Sequence, residues 1–358
     1  MCAAAKPRCA AHAALPRPAL PRCLLTAPPR RRNKDDPKNE FLHNLGGSGT
    51  VTLYSADLIT KGAYDDACAD AQAVIHAAAQ VDPSIIVDPW VDMVEPSTEG
   101  VKNILGSLDK CPNVKHFVQT SSIAAVGNIP GRPSTEEDWS SECYKHSFHL
   151  PQVFRARWGD CLTARAVLLA ATPIEELPYN FAKTEGEKTV WAETKDKPYT
   201  VTAINPSMVL GPCLSKPHAK ASPYVFRQAL FGNPQPNNPY STVDVRDVAL
   251  AHVLAFETPE ANGKRFILDG DEPSIAVNDI IAKCRGMFPE ILFDDAPGPK
   301  GWDEKIHMGK QPTRSNSDNS ASKTVLGLEY TDMDTCIRDS VNAIVDNGFV
   351  PARLAASL

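Results

Sequence analysis

Tyr179 and Lys183 stand four residues apart in Tyr179-Asn180-Phe181-Ala182-Lys183, and Ser122 closes the upstream stretch Thr120-Ser121-Ser122. A spacing of four puts the phenol and the ammonium on one face of a helix, one turn apart. A phenol beside an ammonium gives up its proton more readily than a free one. A serine hydroxyl next to that pair can hold a carbonyl oxygen while the phenol donates or takes a proton. This set of groups suits carbonyl reduction or alcohol oxidation with a nicotinamide. The glycine-rich turn that would cradle the pyrophosphate of such a cofactor is missing, because no glycine precedes Gly46.

Strand and helix signals alternate from Arg32 onward, which is the mark of an α/β sheet. Val51–Tyr54 reads as a strand ending at Ser55-Ala56-Asp57-Leu58, Ala63–Ala69 as a short helix, and Ala73–His76 as a buried strand leading into Ala77 and Ala78. Val91–Leu108 reads as a long helix and Lys115–Thr120 as the strand that delivers the two serines. Tyr179–Glu193 is the helix of the Tyr/Lys pair and Tyr199–Asn205 the strand after it. Farther on, Val245–Phe256 and Thr335–Asp346 read as helices and Lys264–Leu268 as a strand. His76, Tyr54, Phe117 and Phe181 read as core residues.

The 358 residues carry 42% apolar residues, an ordinary globular content, and a formal charge of −6, which argues against nucleic acid or an anionic membrane as partner. No apolar run reaches the roughly 18 residues of a membrane helix. The ten cysteines form no Cys-x-x-Cys, so a reducing, cytoplasmic setting is expected rather than a disulfide framework. Cys143, His146 and His149 have metal-like spacing but no evident fourth ligand, and no metal is expected. Residues 1–34 hold eight Lys or Arg and no acid. Residues 1–31 are open to reading as a transit peptide, a disordered tail or a mis-assembled start. The absence of serine speaks against the first, and the last is preferred. Phe154–Ala171 lengthens the path from serine to tyrosine and reads as an inserted surface helix or a translated intron.

Several segments occur together in one order: Tyr54-Ser55-Ala56-Asp57-Leu58, Ala73-Val74-Ile75-His76-Ala77-Ala78, Gln119-Thr120-Ser121-Ser122, Pro178–Lys183, Ile204–Pro212 and Val243–Ala249. Asp318-Asn319-Ser320 with Lys323 and Leu326-Gly327 follows them. In this order they resemble the extended short-chain dehydrogenase/reductases, closest to the dihydroflavonol reductase and cinnamoyl-CoA reductase branch, over roughly residues 32–351. The resemblance implies a Rossmann-like, doubly wound, mostly parallel α/β sheet with a smaller C-terminal substrate-binding region. It also implies NADP(H) as cofactor and a small carbonyl or alcohol as substrate. The expected plan is a disordered or non-native segment at 1–31 and a truncated cofactor domain at 32–212, with an insert at 152–172. A substrate region at 213–358 completes it, with 241–268 returning to the core sheet.

The resemblance assigns roles residue by residue. Tyr179 would be the general acid, Lys183 would tune it and hydrogen-bond the nicotinamide ribose, and Ser122, rather than Ser121, would hold the carbonyl oxygen. Asp57 and Leu58 would flank the adenine, while small Ala77 and Ala78 would let the backbone approach the pyrophosphate and ribose. Pro206 and Ser207 would border the nicotinamide. Arg32, in Arg32-Asn33-Lys34-Asp35-Asp36, would meet an adenosine 2′-phosphate and select NADP over NAD. Glu136, Glu137 and Trp139 match the family's acidic-plus-Trp segment and read as structural.

The family's first strand, glycine turn and helix should precede Arg32, and the expectation is that they are absent or replaced. Gly46-Gly47-Ser48-Gly49 is followed by strand signals rather than a helix and reads as a flexible turn. Two rivals to a working reductase therefore stand: a non-catalytic remnant or mis-assembled chain that binds no nucleotide, and, within enzymes, a 3β-hydroxysteroid dehydrogenase-like activity.

Overall fold

The computed structural model describes residues 36, 39–43, 51–79, 88, 90–127, 132–140, 178–216, 218, 239–272, 274–288 and 317–349. Arg32, Gly46–Gly49, the Cys143/His146/His149 group and the 154–171 segment lie outside them.

The centre is a four-stranded sheet of β1 (Ala73–His76), β2 (His116–Thr120), β3 (Thr200–Pro206) and β7 (Lys264–Leu268), in the order β1-β2-β3-β7 with every pair parallel. The short runs are apolar and rich in β-branched residues, as expected for strands covered on both faces. Helices α1 (Glu40–His43), α2 (Asp65–Cys68), α3 (Glu95–Leu108), α4 (Ile123–Val126) and α5 (Pro178–Glu193) precede β3. Helices α6 (Val245–Glu257), α7 (Val277–Met287), α8 (Ser320–Leu326) and α9 (Met333–Asp346) follow it.

Residues paired across parallel strands share a face, so Val74, Phe117 and Val201 form one apolar row. That row packs against Val101, Ile104, Leu105 and Leu108 of α3 and Val190 of α5. On the other face Val118, Ile204, Phe266 and Leu268 meet Val248, Ala251 and Ala255 of α6 and Leu326 of α8. Helices thus lie on both faces, the doubly wound arrangement. The second cover stops short of β1, where Ile75 is 40% exposed. Among the described residues β1 is an edge strand.

Two small ladders, β4 (Met208–Leu210) with β6 (Thr242–Asp244), and β5 (Pro239–Tyr240) with β8 (Ile275–Ala276), flank the main sheet. A separate apolar cluster joins Leu210 to Ile280 and Cys284 of α7 and Met333, Cys336, Ile337, Val341 and Ile344 of α9. Asp244 caps α6 by accepting from the Arg246 amide at 2.8 Å and pairs with the Arg246 guanidinium at 2.8 Å. Burial pushes its carboxyl upward, but these Arg246 contacts outweigh that and hold it below the ordinary value. Asp247 accepts from the Thr331 amide and hydroxyl. The Val243–Ala249 motif therefore ties α6 to the chain entering α9.

Most expected elements stand within a residue or two of their sequence limits. The long helix is preceded by a π-helical turn over Trp90–Val94, and the short helix contracts to Asp65–Cys68. Val51–Tyr54 differs: the segment pairs with no strand among the described residues. A strand persists only where a neighbour takes up its backbone groups. Cys68, Cys111, Cys213, Cys284 and Cys336 are free and buried. Burial pushes the Cys68 and Cys284 thiols up to about 12, so neither serves as a nucleophile near neutral pH. No helix among the described residues is long and apolar enough to cross a membrane.

Candidate active site

All four central strands run the same way, so β1, β2 and β3 deliver Ala77-Ala78, Ser121-Ser122 and Pro206-Ser207 to one edge of the sheet. In open α/β sheets the crevice beyond the carboxyl ends of the strands is where ligands bind.

Ser122 leaves β2 in extended backbone (φ −166°, ψ 155°) and caps α4, its Oγ accepting from the Ala124 amide at 3.1 Å. It is 7% exposed. The contact uses a lone pair and leaves the hydroxyl hydrogen for another acceptor. Ser121 is committed instead, its hydroxyl donating to Glu187 Oε2 at 2.5 Å. Of the two serines, only Ser122 thus keeps its hydroxyl hydrogen uncommitted among the described residues.

Helix α4 packs against α5, which carries the Tyr/Lys pair. The first turn of α5 is seated by Phe181 and Ala182, which with half-buried Tyr179 pack against Trp90, Met93 and Val94. The Lys183 ammonium lies 5.8 Å from the Tyr179 ring centroid and donates to the Thr120 carbonyl at 3.3 Å. Thr120 is itself fixed. Its hydroxyl contacts His252 Nε2 at 2.7 Å, while His252 Nδ1 faces the Val248 carbonyl at 2.7 Å. Since Nδ1 meets a carbonyl it carries the hydrogen, and Nε2 accepts from Thr120. Burial holds the His252 pKa below its ordinary value, against the opposing Val248 contact.

Ser207 follows Pro206 and donates its amide to the Leu268 carbonyl at 2.8 Å. Its buried Oγ has no hydrogen-bond partner among the described residues. An unpaired buried hydroxyl at the carboxyl end of β3 is open to a polar ligand group. Ala77 is exposed and Ala78 buried, and their side chains leave the end of β1 open to close approach. Asp57 is half-buried and accepts from the Ile59 amide at 3.0 Å, while the Leu58 side chain is fully inside, sharing a cluster with Ala78. Leu58 thus meets the helix core, and the surface of this turn is left to Asp57 and the backbone. Lys183, the Ser122 turn and the Pro206-Ser207 segment thus adjoin the carboxyl ends of β2 and β3. No glycine-rich pyrophosphate cradle occurs among the described residues.

His76, expected in the core, is there: 3% exposed and stacked on Phe117 at 6.2 Å between centroids. Burial, helped by the positive charge of Lys183, lowers its pKa to about 4.

The sequence reading passed over Glu187, Asn205 and Arg265 as site residues. Glu187 is fully buried on α5 and accepts from Ser121, from Asn205 Nδ2 at 2.8 Å and from Arg265 Nε at 2.5 Å. Arg265 also donates to the Glu136 and Asp138 carbonyls, both at 2.7 Å, and lies 3.8 Å over the Trp139 ring. Glu136 Oε1 accepts from the Ile267 amide at 3.1 Å, which agrees with a structural role for this segment. A signal for Glu187 was available: positions 179, 183 and 187 repeat every four residues on one helix face.

Residues 58–231 match the male sterility protein family. Cinnamoyl-CoA reductase 1 of Petunia hybrida is 30% identical over 324 residues, covering 89% of this chain and 85% of its own length. Cinnamoyl-CoA reductase CAD2 of Medicago truncatula is 27% identical over 325 residues, covering 89% and 87%. The crystal structure of yeast methylglyoxal/isovaleraldehyde reductase Gre2 complexed with NADPH is similar in fold. Its TM-score is 0.66 at 24% identity, over 89% of this chain and 91% of that one. A relative of this identity, matched along most of both chains, joins the ordered motifs and the parallel sheet in one conclusion: the protein belongs to the extended short-chain dehydrogenase/reductases, in the dihydroflavonol reductase and cinnamoyl-CoA reductase branch.

Proposed function

We propose that the protein is an NADP(H)-dependent oxidoreductase that reduces an aldehyde or ketone to an alcohol. The observation that carries this reading is that the helix bearing Tyr179 and Lys183 packs on the short helix that Ser122 caps, at the carboxyl end of β2. There the ammonium reaches the Thr120 carbonyl, two residues from a serine whose hydroxyl hydrogen is uncommitted. The relatives, reductases in each case, support it, and so does the NADPH with which the yeast reductase is complexed.

Bound NADPH supplies the hydride equivalent for the carbonyl carbon. The chain's own residues do the rest. Ser122 donates its hydroxyl hydrogen to the carbonyl oxygen and holds it. Tyr179 hands its phenolic proton to that oxygen as negative charge develops there. The Lys183 ammonium stabilises the phenolate left behind and can also hydrogen-bond a ribose hydroxyl. Ser207 Oγ and the backbone at Pro206 would border the nicotinamide. Ala77 and Ala78, small side chains at the end of β1, would leave room for the ribose and pyrophosphate. Arg32, which would read a 2′-phosphate, lies outside the described residues.

Two observations favour the rival remnant that binds no nucleotide: the sequence holds no glycine turn before Gly46, and among the described residues β1 stands as an edge with Ile75 exposed. Titration of the 358-residue chain with NADPH and, in parallel, NADH separates the two readings. Saturable micromolar binding that prefers NADPH is expected, followed by NADPH oxidation with methylglyoxal, isovaleraldehyde or cinnamoyl-CoA as probe. A folded chain that binds neither nucleotide rejects the enzyme reading. Turnover that survives Tyr179→Phe unchanged rejects the mechanism.

A further inference from the structure

Two polar groups bracket the serine turn, and both lead to one carboxylate. Before Ser122, the Ser121 hydroxyl donates to Glu187 Oε2 at 2.5 Å. After it, Asn205 Nδ2 donates both to the Ser122 carbonyl at 3.2 Å and to Glu187 Oε2 at 2.8 Å. Arg265 closes the set from β7, with Nε 2.5 Å from Glu187 Oε1 and Nη2 3.3 Å from Oε2. Trp191 Nε1 adds a donor to Oε1 at 3.3 Å.

Glu187 is 0% exposed, and the Arg265 side chain is 8% exposed. A buried carboxylate is costly unless paired and hydrogen-bonded, and losing one partner of such a pair strands the other. Here every donor is supplied by a different part of the site: the turn after β2, β3, β7 and α5 itself. Arg265 is pinned in turn by the Glu136 and Asp138 carbonyls and by the Trp139 ring. Lys183 sits one turn before Glu187 and Tyr179 two turns before it. The carboxylate therefore joins the helix bearing the proton donor to the turn bearing the carbonyl-holding serine.

We infer that Glu187, backed by Arg265, is a positioning residue for the reaction: it sets Ser122 relative to Tyr179 by gripping the turn on both sides. The inference rests on the proposed reductase reading. A buried ion pair could instead serve stability alone, and the geometry argues against that limit. Two of the carboxylate's donors, Ser121 and Asn205, adjoin or hold Ser122, and catalytic groups displaced by about 1 Å lose rate steeply.

The experiment is a double-mutant cycle on the full chain, with NADPH oxidation by methylglyoxal, isovaleraldehyde or cinnamoyl-CoA as readout and NADPH affinity measured alongside. Ser121→Ala removes one donor to Glu187 and leaves Ser122 in place. It is expected to lower kcat about tenfold with KM and NADPH affinity within about twofold, and to have almost no further effect in a Ser122→Ala background. Glu187→Gln should lower kcat more, and Glu187→Asp should recover part of the loss by restoring the charge. A merely stabilising carboxylate would shift the melting temperature of these variants while leaving kcat of the folded protein intact, and that result overturns the inference. If Glu187→Gln does not fold, the Ser121 cycle decides alone. Equal Ser121→Ala losses with and without Ser122 also overturn it. Wild-type chain without turnover, or Tyr179→Phe with full turnover, rejects the underlying reductase reading, and this inference falls with it.

Discussion

The Asn103 side chain of α3 donates to the Leu58 carbonyl at 3.0 Å and to the Thr60 carbonyl at 2.7 Å, and its Oδ1 accepts from the Gly62 amide at 2.9 Å. One buried amide thus shapes the turn that carries Asp57. Asn103→Ala would strand those backbone groups, at a cost of about 1–3 kcal/mol. If Asp57 faces the adenosine end of the cofactor, the same variant weakens NADPH binding and spares kcat at saturation. Chemical denaturation and an NADPH titration check both halves, and unchanged affinity would remove this turn from the cofactor site.

Two glycines of α3 should respond in opposite directions to the same substitution. A Cβ on Gly100 would stand 2.5 Å from Leu58 Cγ, inside the packed core, whereas nothing lies within 4 Å of one on Gly106. Gly100→Ala should destabilise by about 1–3 kcal/mol through overpacking. Gly106→Ala, on the exposed face, should stabilise by about 0.5–1 kcal/mol through helix propensity. Urea midpoints of the two variants test the contact. A neutral Gly100→Ala would mean that Leu58 moves aside freely.

His76 makes stability fall with acid. Its folded pKa of about 4, lowered first by burial and then by Lys183, lies below the ordinary 6.5. The unfolded chain therefore takes up a proton near pH 6.5 that the folded chain refuses until about 4. The stabilisation is complete above pH 6.5 and is lost as pH falls from there toward 4. Between pH 7.5 and 5 the loss from this one group is about 2 kcal/mol. His76→Gln, which cannot titrate, should flatten the dependence by that amount in denaturation curves at the two pH values. An unaltered slope would assign the acid sensitivity elsewhere.

Arg265 over Trp139 gives a spectroscopic handle on the polar hub. Arg265→Lys removes the planar stack at 3.8 Å and the fork to the Glu136 and Asp138 carbonyls, so the two cations are not interchangeable here. The variant should alter tryptophan fluorescence and lose about 2–4 kcal/mol of stability, because the buried Glu187 loses its bidentate partner. Stability within about 0.5 kcal/mol of wild type, by the same denaturation, would show that Lys reaches Glu187 equally well (an exposed-pair magnitude).

The strands β2, β3 and β7 and helices α5 and α6 were legible in the sequence because each is a short apolar run or a long periodic one bounded by polar residues. Tyr179, Lys183 and Ser122 were legible for a similar reason: their spacing along one helix, and their position after one strand, are properties of neighbouring residues. Val51–Tyr54 has a strand's composition yet pairs with no strand among the described residues, since a ladder needs a partner that local sequence does not specify. Whether Ser121 or Ser122 is free to meet a carbonyl depended on Glu187, 66 residues beyond Ser121, reaching only the first of them. The Glu187–Arg265 pair joins residues 78 apart. The sequence alone determined which groups line one helix face and which strands carry them to the sheet edge. The tertiary structure decided which of those groups are spent on one another and which remain for chemistry, because hydrogen-bond partners across a core are chosen by three-dimensional register rather than by distance along the chain.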